Sequence, residues 1–237
     1  EYFFDPETDD WNKLFDDWKV KMDEFTKEIG LDSTKLRWRA HEEFELSHYS
    51  KRTEDLEYEF PWGFKEMFGI AYRTNFDLLN HEKNSGVSQS YTYPDGKKVV
   101  PHVIEPTFGL SRLVTIVLMN AFTEEEVEGE TRIVLKFNPQ IAPVKVAVLP
   151  LIKKEELTSL SRAIQASLKS LGVIVYDETA SIGKRYRKQD EIGTPYCITV
   201  DFDSLEDKKV TVRDRDTMKQ ERIEISKLLD FLAPKFQ

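Results

Sequence analysis

The chain has 237 residues, 40% of them hydrophobic and 32% charged, which is enough apolar material for one large or two modest domains. No apolar run approaches the ~20 residues that cross a bilayer and there is no signal-peptide pattern, which excludes a helical membrane span and gives no membrane partner. Cys197 is the only cysteine, so neither an intrachain disulfide nor a cysteine-based metal site is available, and a reducing cytoplasm fits. The net charge of −9 divides unevenly: residues 1–140 carry 17 basic and 28 acidic side chains, and residues 141–237 carry 17 and 15. An acidic whole argues against non-specific nucleic-acid binding, while leaving room for a basic patch in the second part.

In chain order, Glu1-Tyr2-Phe3-Phe4 reads as a buried strand at the very start, where chain ends are usually polar. There is no initiator Met, so a piece of a longer protein is expected. Asp5 to Asp10 is a turn with acids placed for a helix start. Trp11, Leu14, Phe15, Trp18, Met22 and Phe25 then give an amphipathic helix ending near Gly30. Residues 35–60 hold a dense polar set, Arg37, Arg39, His41, Glu42, Glu43, Glu45, His48 and Tyr49, whose spacing matches no metal-ligand motif. Residues 54–60 alternate charged and apolar side chains, a strand with one wet face. After the Pro61-Trp62-Gly63 turn, 65–71 reads as a second strand. Arg73 and Asp77 follow as a surface ion pair, and 81–96 as a loop. Residues 99–104 are a strand, broken at Pro106 and Gly109, before an apolar helix over 113–122. Within this strand-turn-helix Glu105 ends the strand and Arg112 opens the helix. Thr107 and Gly109 lie between them, the glycine leaving room for a ligand at the backbone. The first part reads as an antiparallel sheet whose polar face is a binding surface.

Asn138 to Pro143, with two prolines, is the best boundary, giving domains 1–140 and 141–237. Strands over 144–151, 173–176, 196–202 and 209–213 alternate with helices over 155–171, 181–192 and 223–236. That order implies a small α/β domain with a mostly parallel or mixed sheet. Residues 182–193 place Lys184, Arg185, Arg187 and Lys188 beside Tyr186, Gln189 and Asp190, and 211–216 alternate both charges. A solvated face explains either stretch taken singly. Together they also suit single-stranded RNA, whose bases stack and are read along polar edges.

These residues resemble one family, the class II, dimeric glycyl-tRNA synthetases. Glu105-Pro106-Thr107-Phe108-Gly109-Leu110-Ser111-Arg112 resembles its motif 3, with Thr107 where Ser is usual. Glu66-Met67, Gly69-Ile70-Ala71, Arg73-Thr74 and Asp77 resemble the segment before it. Residues 183–195 and 210–216 resemble its anticodon-binding domain. The resemblance implies a class II α+β antiparallel catalytic remnant followed by a mixed-sheet α/β anticodon-binding domain. Motifs 1 and 2 are expected before residue 1, so the chain alone is expected not to form glycyl-adenylate.

The implied activity is glycine–tRNA ligation through glycyl-adenylate, with tRNA-Gly, glycine and ATP as partners, Mg2+ accompanying ATP, and a homodimer in the full-length protein. Glu66, Met67, Gly109, Leu110, Ser111 and Arg112 would hold ATP. Glu105, Pro106, Thr107, Phe108 and Gly109 would hold glycine, with Glu105 on its ammonium. Arg73 would face a carboxylate or phosphate, acting in catalysis with Glu66 and Arg112. Lys184, Arg185, Arg187, Gln189, Asp190, Arg213 and Arg215 would meet the anticodon, and no protein metal site is implied. A non-catalytic relative, such as a DNA polymerase accessory subunit, is the competing reading; it has no need of an ATP site.

Overall fold

The computed structural model describes residues 1–127 and 129–237. Packing divides the chain into two compact units, Glu1–Ile116 and Val117–Gln237.

The first unit contains β1 (Tyr2–Phe4), α1 (Trp11–Glu28), β2 (Leu36–Ala40), β3 (Arg52–Phe60), β4 (Gly63–Thr74) and α2 (Phe76–Ser85). It continues with β5 (Tyr91–Thr92), β6 (Lys98–Val99), β7 (His102–Phe108) and the start of α3 (Leu110–Ala121). Five strands form an antiparallel sheet in the order β1-β7-β4-β3-β2. The acids before α1 act as expected, since the Asp10 carboxylate accepts from the amides of Asn12 and Lys13 at 2.9 and 3.4 Å. The apolar stripe of α1 lies on one face of the sheet. Trp11 stacks on Tyr72 with centroids 4.5 Å apart, and Phe25 meets Phe68 and Phe108 at 6.2 and 5.7 Å. Phe15 and Met22 are fully buried, and truncating either to Ala costs about 2–5 kcal/mol.

Several elements differ from the pattern read in the sequence. β1 is an edge strand rather than a buried one: Phe4 is buried, but Tyr2 and Phe3 are 38% and 48% exposed. β2 and α2 were hidden by polar composition. α2 occupies the start of the expected loop and stops at Gly86, whose φ of +70° is easy for glycine alone.

The second unit contains the rest of α3, a hairpin of β8 (Phe122–Val127) and β9 (Glu130–Leu135), then β10 (Val146–Pro150), α4 (Glu155–Ser167) and β11 (Ile174–Tyr176). α5 (Ile182–Ile192), β12 (Tyr196–Val200), α6 (Asp203–Asp207), β13 (Lys209–Asp214), β14 (Gln220–Glu224) and α7 (Leu228–Leu232) follow. Its main sheet, β11-β10-β12-β13-β14, is mixed: β10 runs parallel to both neighbours, and β13 and β14 are antiparallel. β10 is apolar throughout because both its faces are covered. Val146 and Val148 pack with Leu157, Ile164 and Leu228, while Ala147 and Leu149 pack with Cys197 and Tyr186. The closing helix expected over 223–236 is shorter, because Ile223 pairs with Val210 and extends the sheet.

Candidate functional site

Pairing across the first sheet brings chemistry-bearing side chains into rows. Residues opposite one another on antiparallel strands share a face, so Arg39, Asp55, Gly69 and Thr107 form one row. Arg37, Glu57 and Glu66 form the row beside it, and Thr53, Ala71 and Glu105 lie on the other side. Gly69 makes the floor. A Cβ there would sit 3.5 Å from Asp55 Oδ1 and 4.0 Å from Glu66 Oε1, so two carboxylates converge above a position with no side chain.

The polar set of 35–60 is organised by this face. Arg37 Nε donates to Glu57 at 2.7 Å, Arg39 Nη2 to Glu45 at 2.5 Å, and His41 Nε2 lies 2.7 Å from Asp55 Oδ2. Asp55 and Glu57 were not singled out in the sequence, although the alternation of 54–60 placed them on the wet face.

Arg73 is held on three sides. Its Nε donates to Asp77 at 2.8 Å, its Nη1 to Glu105 at 2.6 Å, and its guanidinium lies 4.0 Å from the Tyr49 ring centre. The hydrogen bond that Arg73 donates to Asp77 raises the Arg73 pKa further and lowers that of Asp77. Arg73 therefore orients Glu105. At the start of α3, Arg112 Nη1 lies 3.1 Å from both the Glu66 carboxylate and the Glu66 carbonyl oxygen. About half of each of these two side chains is exposed.

The other expected residues divide. Thr107 lies on the site face and is exposed, as are Leu110 and Ser111 at the helix start. Met67 is fully buried, so its side chain cannot reach a nucleotide, contrary to expectation. Phe108 packs on Phe68 with centroids 4.7 Å apart, on the α1 face, and Pro106 shares that face by alternation. Their side chains cannot line a pocket with Glu105. Gly109 serves packing rather than ligand access: a Cβ there would meet the Met67 carbonyl oxygen at 3.0 Å.

The second unit corrects the RNA-facing set more strongly. In α5 the helical period turns Arg185, Gln189 and Asp190 inward, and all three are buried. Arg185 donates to the carbonyls of Pro150, Asp177 and Leu151 at 2.7, 3.0 and 3.1 Å. Asp190 is fully buried and accepts from Arg132 Nε at 3.0 Å and from Arg213 Nη1 and Nη2 at 2.8 and 3.1 Å. Gln189 accepts from Thr194, and Arg215 donates to the carbonyls of Gly193 and Phe137. These five are internal fasteners, not an RNA surface, because their side chains are buried and hydrogen-bonded inside the fold. Lys184 is exposed, and Arg187 is half-buried with Nη1 4.0 Å from Asp190 Oδ2; Lys188 is exposed and pairs with Asp177 at 2.8 Å. Arg132, in a Glu-rich hairpin, carried no signal in the sequence.

Among the described residues no helix is long and apolar enough to cross a membrane, and no group of three metal-ligating side chains occurs.

Residues 145–235 match the family model described as "Anticodon binding domain". The glycine–tRNA ligases of Caldanaerobacter subterraneus subsp. tengcongensis and Clostridium acetobutylicum are each 49% identical, over 239 and 240 residues, covering 100% of this chain and 51% of the relative. That of Mycoplasmopsis synoviae is 49% identical over 235 residues, covering 98% and 51%. In fold, the chain is similar to prolyl-tRNA synthetase from Cryptosporidium parvum, with a TM-score of 0.68 and 20% identity, over 94% of this chain and 47% of that one. The expected fold, antiparallel sheet with helices followed by an anticodon-binding domain, is borne out. Over its whole length the chain is similar to glycine–tRNA ligases, and it spans about half the length of the curated relatives it matches.

Proposed function

We propose that this chain supplies the amino-acid end of the active site and the tRNA-reading domain of a glycine–tRNA ligase. The observation that carries this reading is the Glu105–Arg73 pair on the polar sheet face, in a chain 49% identical throughout to such ligases. In the first step the glycine carboxylate attacks the α-phosphorus of ATP, forming glycyl-adenylate and releasing pyrophosphate. In the second, a terminal ribose hydroxyl of tRNA attacks the glycyl carbonyl and releases AMP. Both steps depend on positioning and charge stabilisation more than on covalent help from side chains.

Glu105 binds the glycine ammonium with a carboxylate whose direction Arg73 sets. Thr107 stands one row away and narrows the space above Gly69. A site cannot gain energy from a side chain that glycine lacks, so specificity is exclusion plus recognition of the ammonium. Arg112 receives the ATP phosphates at the start of α3, its planar fork suited to them. Mg2+ fits this donor set only as an ion held mainly by phosphates, with Glu66 contributing one carboxylate, and it would neutralise phosphate charge. Lys184 and Arg187 contact tRNA from α5, while Arg185, Gln189, Asp190, Arg213 and Arg215 hold the domain that presents them. A cytoplasmic homodimer is the expected working form, and residues 141–237 are proposed as the functional domain that reads tRNA.

The test is a chimera in which residues 1–237 replace the matching half of the Caldanaerobacter relative. Charging of tRNA-Gly with glycine is expected, and a folded chimera with no glycine-dependent ATP–pyrophosphate exchange would overturn the reading.

A further inference from the structure

Arg73 leaves the sheet at an irregular point. Tyr72 pairs with Ile104 and Thr74 with Val103, so Arg73 is an extra residue, bulged out of the ladder between β4 and β7. Thr74 follows with a φ of +56°, a left-handed backbone that is unfavourable for a β-branched residue. Bulges re-aim side chains, and strained residues persist only where surrounding contacts hold them. Strand register therefore does not fix the Arg73 guanidinium, and other contacts must.

One of those contacts is a ring. The guanidinium carbon of Arg73 lies over Tyr49, 4.0 Å from the ring centre. Tyr49 sits between β2 and β3 and is braced in turn: His48 meets it edge-on at 5.3 Å, Phe76 lies 6.4 Å from it, and His48 meets Phe76 edge-on at 5.1 Å. Phe76 and Asp77 open α2 just after the strained Thr74. The same turn of chain thus delivers the brace of the ring and the carboxylate on Arg73 Nε. Asp77 and Glu105 fix the edges of the guanidinium, at 2.8 and 2.6 Å, and the ring fixes its plane. A cation over a ring face is attracted to it, more strongly where water is kept away, and the Arg73 side chain is only 18% exposed. A planar fork held in one plane offers Nη1 to Glu105 from one direction.

We infer that Tyr49 is a positioning residue for glycine: braced by His48 and Phe76, it holds the plane of Arg73 and through it the carboxylate of Glu105. This rests on the reading of Glu105 as the ammonium site, and adds the residue that keeps its partner in place. A carboxylate set loose weakens its hold on the ammonium, so the loss falls on KM for glycine and spares KM for ATP.

The experiment is glycine-dependent ATP–pyrophosphate exchange by the chimera with the Caldanaerobacter relative. The wild type is compared with Tyr49→Leu, Tyr49→Phe and Glu105→Gln, with thermal melts to check folding. Tyr49→Leu keeps an apolar side chain without a ring face. It is expected to raise KM for glycine about 2- to 30-fold, the range of one lost cation–ring contact, with KM for ATP unchanged. Tyr49→Phe, which keeps the face, is expected to restore most of it. In an Arg73→Ala background the ring has no cation to hold, and Tyr49→Leu is expected to add nothing further. A smaller folded fraction lowers kcat and leaves both KM values as they are, which sets a merely structural role apart. A rise in KM for glycine in Glu105→Gln but not in Tyr49→Leu overturns the role of Tyr49 alone. An equal effect of Tyr49→Leu with and without Arg73 overturns its action through Arg73. No rise in either Glu105→Gln or Tyr49→Leu overturns the reading of Glu105 as well.

Discussion

Arg73 and Glu105, 32 residues apart in sequence and on neighbouring strands, are joined by a 2.6 Å hydrogen bond, with Asp77 and the ring of Tyr49 holding the same guanidinium. The arginine is thus a positioning group for the carboxylate, fixed on three sides. Arg73→Ala would leave two carboxylates without their partner and let Glu105 rotate. In the chimera, kcat/KM for glycine is expected to fall about 100-fold, the usual cost of a small misplacement at a reacting centre. Arg73→Lys would recover little, because one ammonium cannot span both carboxylates and the ring. Pyrophosphate exchange across a glycine series measures this, and wild-type kinetics in Arg73→Ala would refute the positioning role.

Asp190 offers a contrasting test. It is fully buried against Arg132 and Arg213, and joins the β8–β9 hairpin to α5 and β13. Asp190→Ala leaves two guanidiniums in the interior without their charge partner, which costs about 3–5 kcal/mol. A clear drop in the denaturant midpoint is expected for residues 1–237, with or without RNA present. A variant as stable as the wild type would mean that the network is dispensable.

On the same helix, Lys184 and Arg187 are expected to behave in the opposite way. Replacing both with Ala should lower the thermal midpoint by no more than about 2–4 °C, since Arg187 gives up only a 4.0 Å contact with Asp190, which keeps Arg132 and Arg213. Affinity for tRNA should weaken, and the slope of log affinity against log salt should flatten by about one or two contacts' worth. Filter binding over a salt series reads both quantities. An unchanged slope would remove α5 from the RNA surface.

Asp177 gives a pH prediction. Burial pushes its pKa up, but hydrogen bonds from Lys188 and from the Thr179 hydroxyl and amide outweigh that and bring it down to about 2. A carboxylate with a folded-state pKa below its unfolded value of 3.8 contributes stability that is fully present above about pH 4–5. That contribution is lost as the pH falls from 3.8 towards 2. The thermal midpoints of wild type and Asp177→Asn should therefore differ at pH 6 and converge at pH 2–3. A gap that persists at the lowest pH would assign the effect to shape instead of charge.

Much of this protein was legible because its signals are local. The 3.6-residue stripe of α1, the alternation of 54–60 and the continuous apolar run of β10 each report which faces are covered, and covering is what a periodic pattern encodes. The strand-turn-helix around Glu105 and Arg112 was legible for the same reason. What adjacency in sequence does not contain is pairing. Arg73 meets Glu105, and Asp55 meets His41, only through strand register. The basic helix α5 looked like one cationic surface when read as composition. The fold spends Arg185 on backbone carbonyls and surrounds Asp190 with guanidiniums, leaving Lys184 exposed and Arg187 half-buried. The sequence by itself determined most of the elements and the class of fold. Only tertiary structure decided which charges are fasteners and which are contacts, because a buried ion must find a partner at hydrogen-bond distance, and that partner lies wherever the chain returns in space.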